Sequence, residues 1–533
     1  MLKVMEVSQT LKRLADFTKR LPGWDTRGRS NGWKGFEGEK GKHLVEYLKY
    51  FLFSGKILVQ NSLFSGKIRV PNSSFSGYTE GMRMRTFNRK FYDEMLEWKQ
   101  TSSHASALMI DGARRIGKST IAEAFAKNEY KDYLVIDFVT ASKDIKDNFD
   151  NVGNPDVFFR NLFLFAGKEL KPGNSVIIFD EVQKFPKARE AIKYLVKDGR
   201  YHYIETGSLI SIKKKSQEIL IPSEEDRRKM YPMDFEEFLW ATGDTTIAPF
   251  IKECFENRIP VGDKMHRIIM EKFRTYFAIG GMPQAVSAFV EGKTFKQIDA
   301  IKRNILALYE EDLKKYDDEN NEKASAVFKS IPEQLANRNS KFKFSVVSEN
   351  ARYKNYLYSV RCIDESMIGN YCRNVTNPEI TLDLFAESDN FKLFLGDTGL
   401  LVSQILKTSR QVEEELYRKI ISGRIGTNLG MIFENMVAQM LRARGYELFF
   451  HEYRYTPEDK KTAQKYEVDF LIVRDRILCP IEVKSSSYRN HKAFDNFVKK
   501  YKLKKHERFI IYGKDLCRDD DVTLIPIYMT MCL

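Results

Sequence analysis

Between residues 86 and 245, short apolar runs alternate with longer stretches whose apolar residues recur every three or four positions. The runs are Ala107 to Ile110, YLVIDF at 133 to 138, SVIIF within Asn174 to Glu181, and 201 to 206. The stretches between them are FNRKFYDEMLEWKQ, IAEAFAKN, and segments near 155 to 170 and 187 to 198. Strands that alternate with amphipathic helices predict an α/β fold, a parallel sheet covered by helices on both faces. Residues 246 to 321 keep only the helical period, interrupted by Gly280-Gly281-Met282-Pro283, and predict a small helical lid. Residues 322 to 424 mix short helical and strand patterns, from KFKFSVVSEN to FKLFLGDTGLL, consistent with a winged-helix-like linker that binds DNA or packs domains together. From 425 to 533 an amphipathic helix, with Ile432, Phe433, Met436, Val437 and Met440 at helical spacing, precedes two strand patterns, YEVDFLIVRD and ILCPIEVKSS.

Residues 1 to 83 depart from all of this. LFSGKILVQNS is followed at once by LFSGKIRVPNS and then by the fragment SFSG, too few repeats to bury a continuous core. Copies this similar point to a recent duplication ahead of a true start at Met82 or Met84, where the helical pattern begins. The segment also carries much of the charge. It holds 15 Lys/Arg and 7 Asp/Glu, so +8 of the net +14 lies here and the rest of the chain is only mildly basic.

The length of 533 residues and 43% apolar content suit about three globular domains. No stretch reaches the roughly 20 apolar residues of a membrane span, and the N-terminus lacks a secretory pattern, so a cytoplasmic protein without a membrane partner is expected. The six cysteines (254, 362, 372, 479, 517 and 532) form no C-x-x-C pair, which argues against a disulfide framework or a zinc site.

The chemistry concentrates at two places. The first begins at Gly112, where an apolar strand runs into Gly-x-x-x-x-Gly-Lys-Ser and then into a helix. In such a loop Gly112, Ala113, Arg114, Arg115, Ile116, Gly117, Lys118, Ser119 and Thr120 would wrap ATP phosphates with backbone N–H groups. Lys118 adds a point charge, and the Ser119 hydroxyl is suited to Mg²⁺. Downstream, Asp180 at a strand tip would hold the same Mg²⁺, with Glu181 beside it to orient or deprotonate a water. The next strand ends in Thr206, Gly207 and Ser208, and Ser208 is the candidate γ-phosphate sensor. Arg227 and Arg228 are candidates for an arginine finger reaching a neighbouring subunit.

The second place is C-terminal. Glu482 and Lys484 fall on one face of their strand because side chains repeat every two residues. If Asp469 meets them from the adjacent strand, Asp469 and Glu482 form a possible second divalent-cation site, Lys484 stabilises an attacking hydroxide, and Glu434 is a further candidate ligand. From Glu482 to Arg508 there are nine Lys/Arg and three Asp/Glu, which suits a DNA backbone or a solvated helix face.

Taken together, GARRIGKS, VIIFDE, TGSL, YPMDFEEFL, GGMP, FLGDTGLL, IFEN, EVDFLIV and IEVKSS resemble the prokaryotic AAA-family ATPases with a C-terminal domain of unknown function, relatives of the AAA and STAND P-loop ATPases. The resemblance covers residues from about 86 to 533. It implies ATPase roles for Lys118, Ser119, Asp180 and Glu181, a winged-helix-like linker, and a restriction-endonuclease-like, PD-(D/E)xK C-terminal domain with Glu434, Asp469, Glu482 and Lys484 at its site positions. Val468 stands where that nuclease motif has proline.

Overall fold

The computed structural model describes residues 86 to 533, apart from 208–221, 317–321, 338–340, 407–413, 425–428, 458–459, 485–491, 504–506 and 520. The 11-residue repeats, the candidate starts Met82 and Met84, and Ser208 therefore lie outside the described residues.

The first sheet contains β1 (Ala107–Asp111), β2 (Asp132–Asp137), β3 (Ser175–Asp180), β4 (His202–Gly207) and β5 (Glu225–Lys229) in the order β2-β3-β4-β1-β5. All neighbouring pairs are parallel. Alternation sorts the core. Leu108, Ile110, Val176, Ile178 and Ile204 pack with Met95, Trp98 and Phe125 of helices Phe91–Thr101 and Lys118–Glu129. Ala107, Met109, Ile177, Phe179 and Tyr203 face Phe158, Leu162, Ile192 and Leu195 of helices Pro155–Ala166 and Pro186–Asp198 on the other side. β1 and β3 are buried almost end to end and read as near-continuous apolar runs because both faces are covered.

The strand β5 has no counterpart in the apolar pattern. Its sequence, EDRRK, survives at the sheet edge because only one flank needs a backbone partner, and its side chains form ion pairs. Arg227 and Arg228, the arginine-finger candidates, belong to this strand. Arg227 pairs with Glu225, and Arg228 pairs with Asp226 and Glu97.

The lid region consists of helices Ile247–Glu256, Asp263–Ile279, Pro283–Val290 and Phe295–Tyr316. Its break is a tight backbone crossing. Gly280 adopts φ +85°, and a Cβ on Gly281 would sit 2.1 Å from the Met233 carbonyl oxygen. Gly281 and Met233 are joined there by a backbone hydrogen bond of 2.8 Å.

The second sheet has eight strands in the order β12-β13-β11-β10-β9-β8-β6-β7. They are β6 (Gly369–Val375), β7 (Ala386–Leu395), β8 (Leu448–Tyr455), β9 (Gln464–Arg474), β10 (Ile477–Val483), β11 (Arg508–Tyr512), β12 (Cys517–Asp519) and β13 (Val522–Pro526). β6 and β7 come from the segment expected to form a separate winged-helix-like linker, yet β6 pairs in parallel with β8 through Cys372 and Leu448. An isolated hairpin would leave one edge unpaired, and β8 satisfies it, so residues 322 to 424 contribute two strands to the sheet that the C-terminal segment completes. One hydrophobic core runs from Leu108 through Phe277, Met436 and Ile511 to Tyr528, so the two sheets are joined by packed helices.

Replacing Gly281 with Ala is expected to cost about 1–3 kcal/mol through overpacking against the Met233 backbone. A lowered urea midpoint checks this; an unchanged midpoint would show that the two segments do not approach as described.

Candidate functional site

The phosphate loop gains its shape from three local features. Gly112 carries no side chain because a Cβ would lie 2.4 Å from the Met230 carbonyl and 2.4 Å from the end of Ile116. Arg115 (φ 71°) and Gly117 (φ 96°) take left-handed conformations, which turn the chain into helix Lys118–Glu129. The helix therefore begins with its free N–H groups at the mouth of the loop.

Lys118 is 7% exposed, and its ammonium donates to the Gly112 and Ala113 carbonyls, both at 2.9 Å. Burial pulls its pKa down to about 8, opposed by the nearby charges of Glu181, Asp111 and Asp180. The Ser119 hydroxyl donates to Asp180 Oδ1 at 2.7 Å, and the Thr206 hydroxyl donates to the same oxygen. Glu181 takes φ 55° at the strand tip, its N–H points to Thr206 Oγ1 at 3.4 Å, and its carboxylate accepts from the Gln183 amide. Left-handed backbone at a non-glycine residue is strained and needs surrounding structure to hold it. The structure thus brings Lys118, Ser119, Asp180 and Glu181 together and adds Thr206, the first of three polar or small residues at the end of β4.

Arg114 and Arg115 behave differently. Arg115 is exposed, whereas Arg114 pairs with Asp312 at 3.1 Å, and the Tyr309 hydroxyl donates to the Arg114 carbonyl at 2.8 Å. Both partners lie on the lid helix Phe295–Tyr316. Behind the loop sits Arg89, which sequence reasoning missed because nothing in FNRKFYDEM separates it from a solvated arginine. It is buried and donates to Ile116 O at 2.9 Å, Tyr231 O at 2.7 Å and Glu237 Oε1 at 3.0 Å. A hydroxyl and a carboxylate that meet at one point are hard oxygen donors of the kind Mg²⁺ takes, so Ser119 and Asp180 fit a nucleotide-bound magnesium ion.

The C-terminal constellation is organised otherwise. Lys484 pairs with Glu482 from the same strand face, as the two-residue repeat of a strand requires. Asp469 lies on the adjacent strand and accepts from the Val483 N–H at 2.7 Å. Two further charges join them. Lys392 of β7 is buried and contacts Glu467 at 2.5 Å; burial works against its charge, and Glu467, Glu434 and Asp469 more than offset it, raising its pKa. Glu467 stands two residues before Asp469, and that spacing was the available signal for it. No cluster of three or more potential metal ligands occurs among the described residues. Lys392 meets Glu467 and Lys484 meets Glu482 from within the chain, and the described residues give no support to the divalent cation expected from sequence.

The described cysteines are free thiols, with Cys254, Cys362, Cys372 and Cys479 buried. Among the described residues no helix is long and apolar enough to cross a membrane.

Comparison with known proteins divides the chain in a similar way. Residues 104–239 match the AAA domain model, residues 270–411 a domain of unknown function (DUF8612), and residues 429–529 another domain of unknown function (DUF4143). No curated protein sequence matches the chain. Among solved structures, the chain is similar to the Thermotoga maritima RuvB Holliday junction branch migration motor at 12% identity, covering 49% of this chain and 81% of that one, with a TM-score of 0.24. It is similar to AMPPCP-bound DnaA from Aquifex aeolicus at 11% identity, covering 52% and 86%, with a TM-score of 0.22. It is also similar to Drosophila ORC bound to AT-rich DNA and Cdc6 at 11% identity, covering 60% and 91%, with a TM-score of 0.20. Residues 104–239 are an AAA-type P-loop nucleotide-binding domain.

The lowered pKa of Lys118 has a measurable sign. In the free protein the ammonium loses its proton near pH 8 instead of the ordinary 10.5. Anionic phosphates would hold the proton on, so above pH 8 the complex binds more protons than the free protein. Nucleotide affinity is therefore expected to be flat below pH 8 and to weaken above it by up to about 10-fold per pH unit. Titration of a fluorescent ATP analogue from pH 7 to 9.5 checks this, and a flat profile to 9.5 would contradict the buried lysine.

Proposed function

We propose that the chain binds ATP with Mg²⁺ between the phosphate loop and Asp180 and hydrolyses it, and that this cycle controls a C-terminal nuclease-like domain acting on nucleic acid. The observation that carries the nucleotide half is the convergence of Ser119 and Thr206 on one oxygen of Asp180, with Lys118 beside them on the loop carbonyls. Bound magnesium supplies charge neutralisation to the phosphoryl oxygens. The chain's own residues do the rest. Lys118 exchanges two carbonyl partners for phosphate, and the N–H groups at the start of helix Lys118–Glu129 hold the phosphate charge. Glu181 accepts a proton from the attacking water after Gln183 releases its carboxylate.

A second reading is a nucleotide-dependent switch whose C-terminal half only binds DNA or a protein partner. It is supported by the lack of a cluster of three or more potential metal ligands among the described residues, and by the second lysine, Lys392, that joins the acids through Glu467. A nuclease-like fold would not by itself imply cutting, because function lives in the site and not in the fold.

Lys118→Ala is expected to abolish nucleotide binding. Glu181→Gln is expected to retain binding and lose about 100-fold or more in turnover, the range typical of a general base. Binding and turnover of ATP untouched by either change would defeat the site assignment. Incubating the parent, Glu482→Ala and Lys484→Ala chains with supercoiled and linear DNA and Mg²⁺ or Mn²⁺ separates the two readings. Metal-dependent nicking by the parent that both variants lose selects the nuclease, and its absence in the parent selects the switch.

A further inference from the structure

Two motifs, GGMP and FLGDTGLL, have no part in nucleotide chemistry, yet the fold clamps them onto each other. Asp397 is 2% exposed, and its carboxylate accepts from Gly281 N at 2.6 Å and Leu400 N at 2.9 Å. Burial raises its pKa, and the N–H groups of Gly281, Leu400 and Gly399 oppose the shift. The approach is too close for side chains. A Cβ on Gly280 would lie 2.3 Å from Asp397 Oδ1, and one on Gly399 would lie 2.3 Å from Ile279 O. Lys302, 0% exposed, ties the same two segments by donating to Ala278 O at 2.7 Å and Gly399 O at 3.1 Å.

From this clamp, buried hydrogen bonds continue both ways. Toward the C-terminus, Thr398 donates to Gln439 Oε1 from its N–H at 2.7 Å and from its hydroxyl at 2.8 Å, and Asn435 bonds the Leu395 backbone and Thr398 Oγ1. Asn435 and Gln439 belong to helix Leu429–Ala443, which also carries Glu434. Toward the nucleotide site, the Gln439 amide donates to Tyr276 OH at 3.1 Å, Tyr276 OH donates to Met233 O at 2.9 Å, and Met233 N donates to Gly281 O. Directly after Met233, Asp234 and Glu237 close a reciprocal cap on helix Phe235–Ala241, and Glu237 holds Arg89. Arg89 then grips Ile116 O inside the phosphate loop and Tyr231 O.

The geometry points to Arg89 and Gln439 as positioning residues at the two ends of one polar relay that sets the phosphate loop from helix Leu429–Ala443. Its buried groups have few alternative partners, so moving one member unpairs the next. A loop reshaped by Mg²⁺ and phosphate is thereby felt at the helix bearing Glu434, and by linkage a change at that helix returns to nucleotide affinity. The inference rests on the ATP reading above.

Two measurements on the full chain test it. Hydrogen exchange of the unsubstituted protein, with and without a non-hydrolysable ATP analogue and Mg²⁺, needs no variant; altered protection within Leu429–Ala443 is expected. In steady-state turnover, Gln439→Met keeps the side-chain volume but removes all three hydrogen bonds to Thr398 and Tyr276, and is expected to raise the KM for ATP about 3- to 30-fold with kcat within about twofold, the size of coupling found between linked sites. Arg89→Lys, which keeps charge but not the three-way grip, is expected to shift the same way and stands in should Gln439→Met fail to fold. Overturning results are exchange in that helix unchanged while the phosphate loop becomes protected, or a KM within twofold of the parent in a folded variant. A parent that binds no nucleotide, like Lys118→Ala, would instead bring down the ATP reading itself and this inference with it.

Discussion

Much of this molecule depends on a single carboxylate oxygen, Asp180 Oδ1, that accepts hydrogen bonds from the hydroxyls of Ser119 and Thr206. The three groups come from the ends of three different segments, the helix after β1, β3 and β4, and they meet only because parallel strands deliver their carboxyl ends to one side of the sheet. Everything that keeps β1, β3 and β4 in register, including the alternating core on both faces, serves that meeting point. Moving any strand by one residue would exchange its core face for the other and take its tip out of reach.

The two cations of the phosphate loop are placed in different electrostatic settings. Lys118 is buried against two carbonyls that satisfy it less well than anionic oxygen, and its depressed pKa is the sign of that shortfall. Arg114, by contrast, already has a carboxylate partner on the lid helix. The two loop cations are thus held differently, Lys118 by carbonyl oxygens with acids nearby and Arg114 by an ion pair to the lid helix. In the C-terminal sheet Lys392 pairs with Glu467 and Lys484 with Glu482.

The junction between the halves is polar and buried together, an arrangement that stabilises only when every partner is in place. Asp397, Lys302, Asn435 and Gln439 all find backbone or side-chain partners across it. Hydrogen bonds there are directional, so each partner fixes the orientation of the next.

The amino-acid sequence by itself determined the parts governed by local rules. The Gly-x-x-x-x-Gly-Lys-Ser spacing, the apolar run ending in Asp180 and Glu181, and the helical periods around Met436 each encode geometry within a few residues, and Glu482 and Lys484 share a strand face for the same reason. Tertiary structure alone decided what depends on residues far apart meeting. It placed β5, whose EDRRK is polar throughout, because an edge strand needs only backbone and ion-pair partners; it drew β6 and β7 into the second sheet because β8 had a free edge; and it made Arg89, Thr206, Lys392 and Asp397 important through partners dozens to hundreds of positions away. Local sequence specifies which way a side chain points, but only the packed chain specifies what it meets.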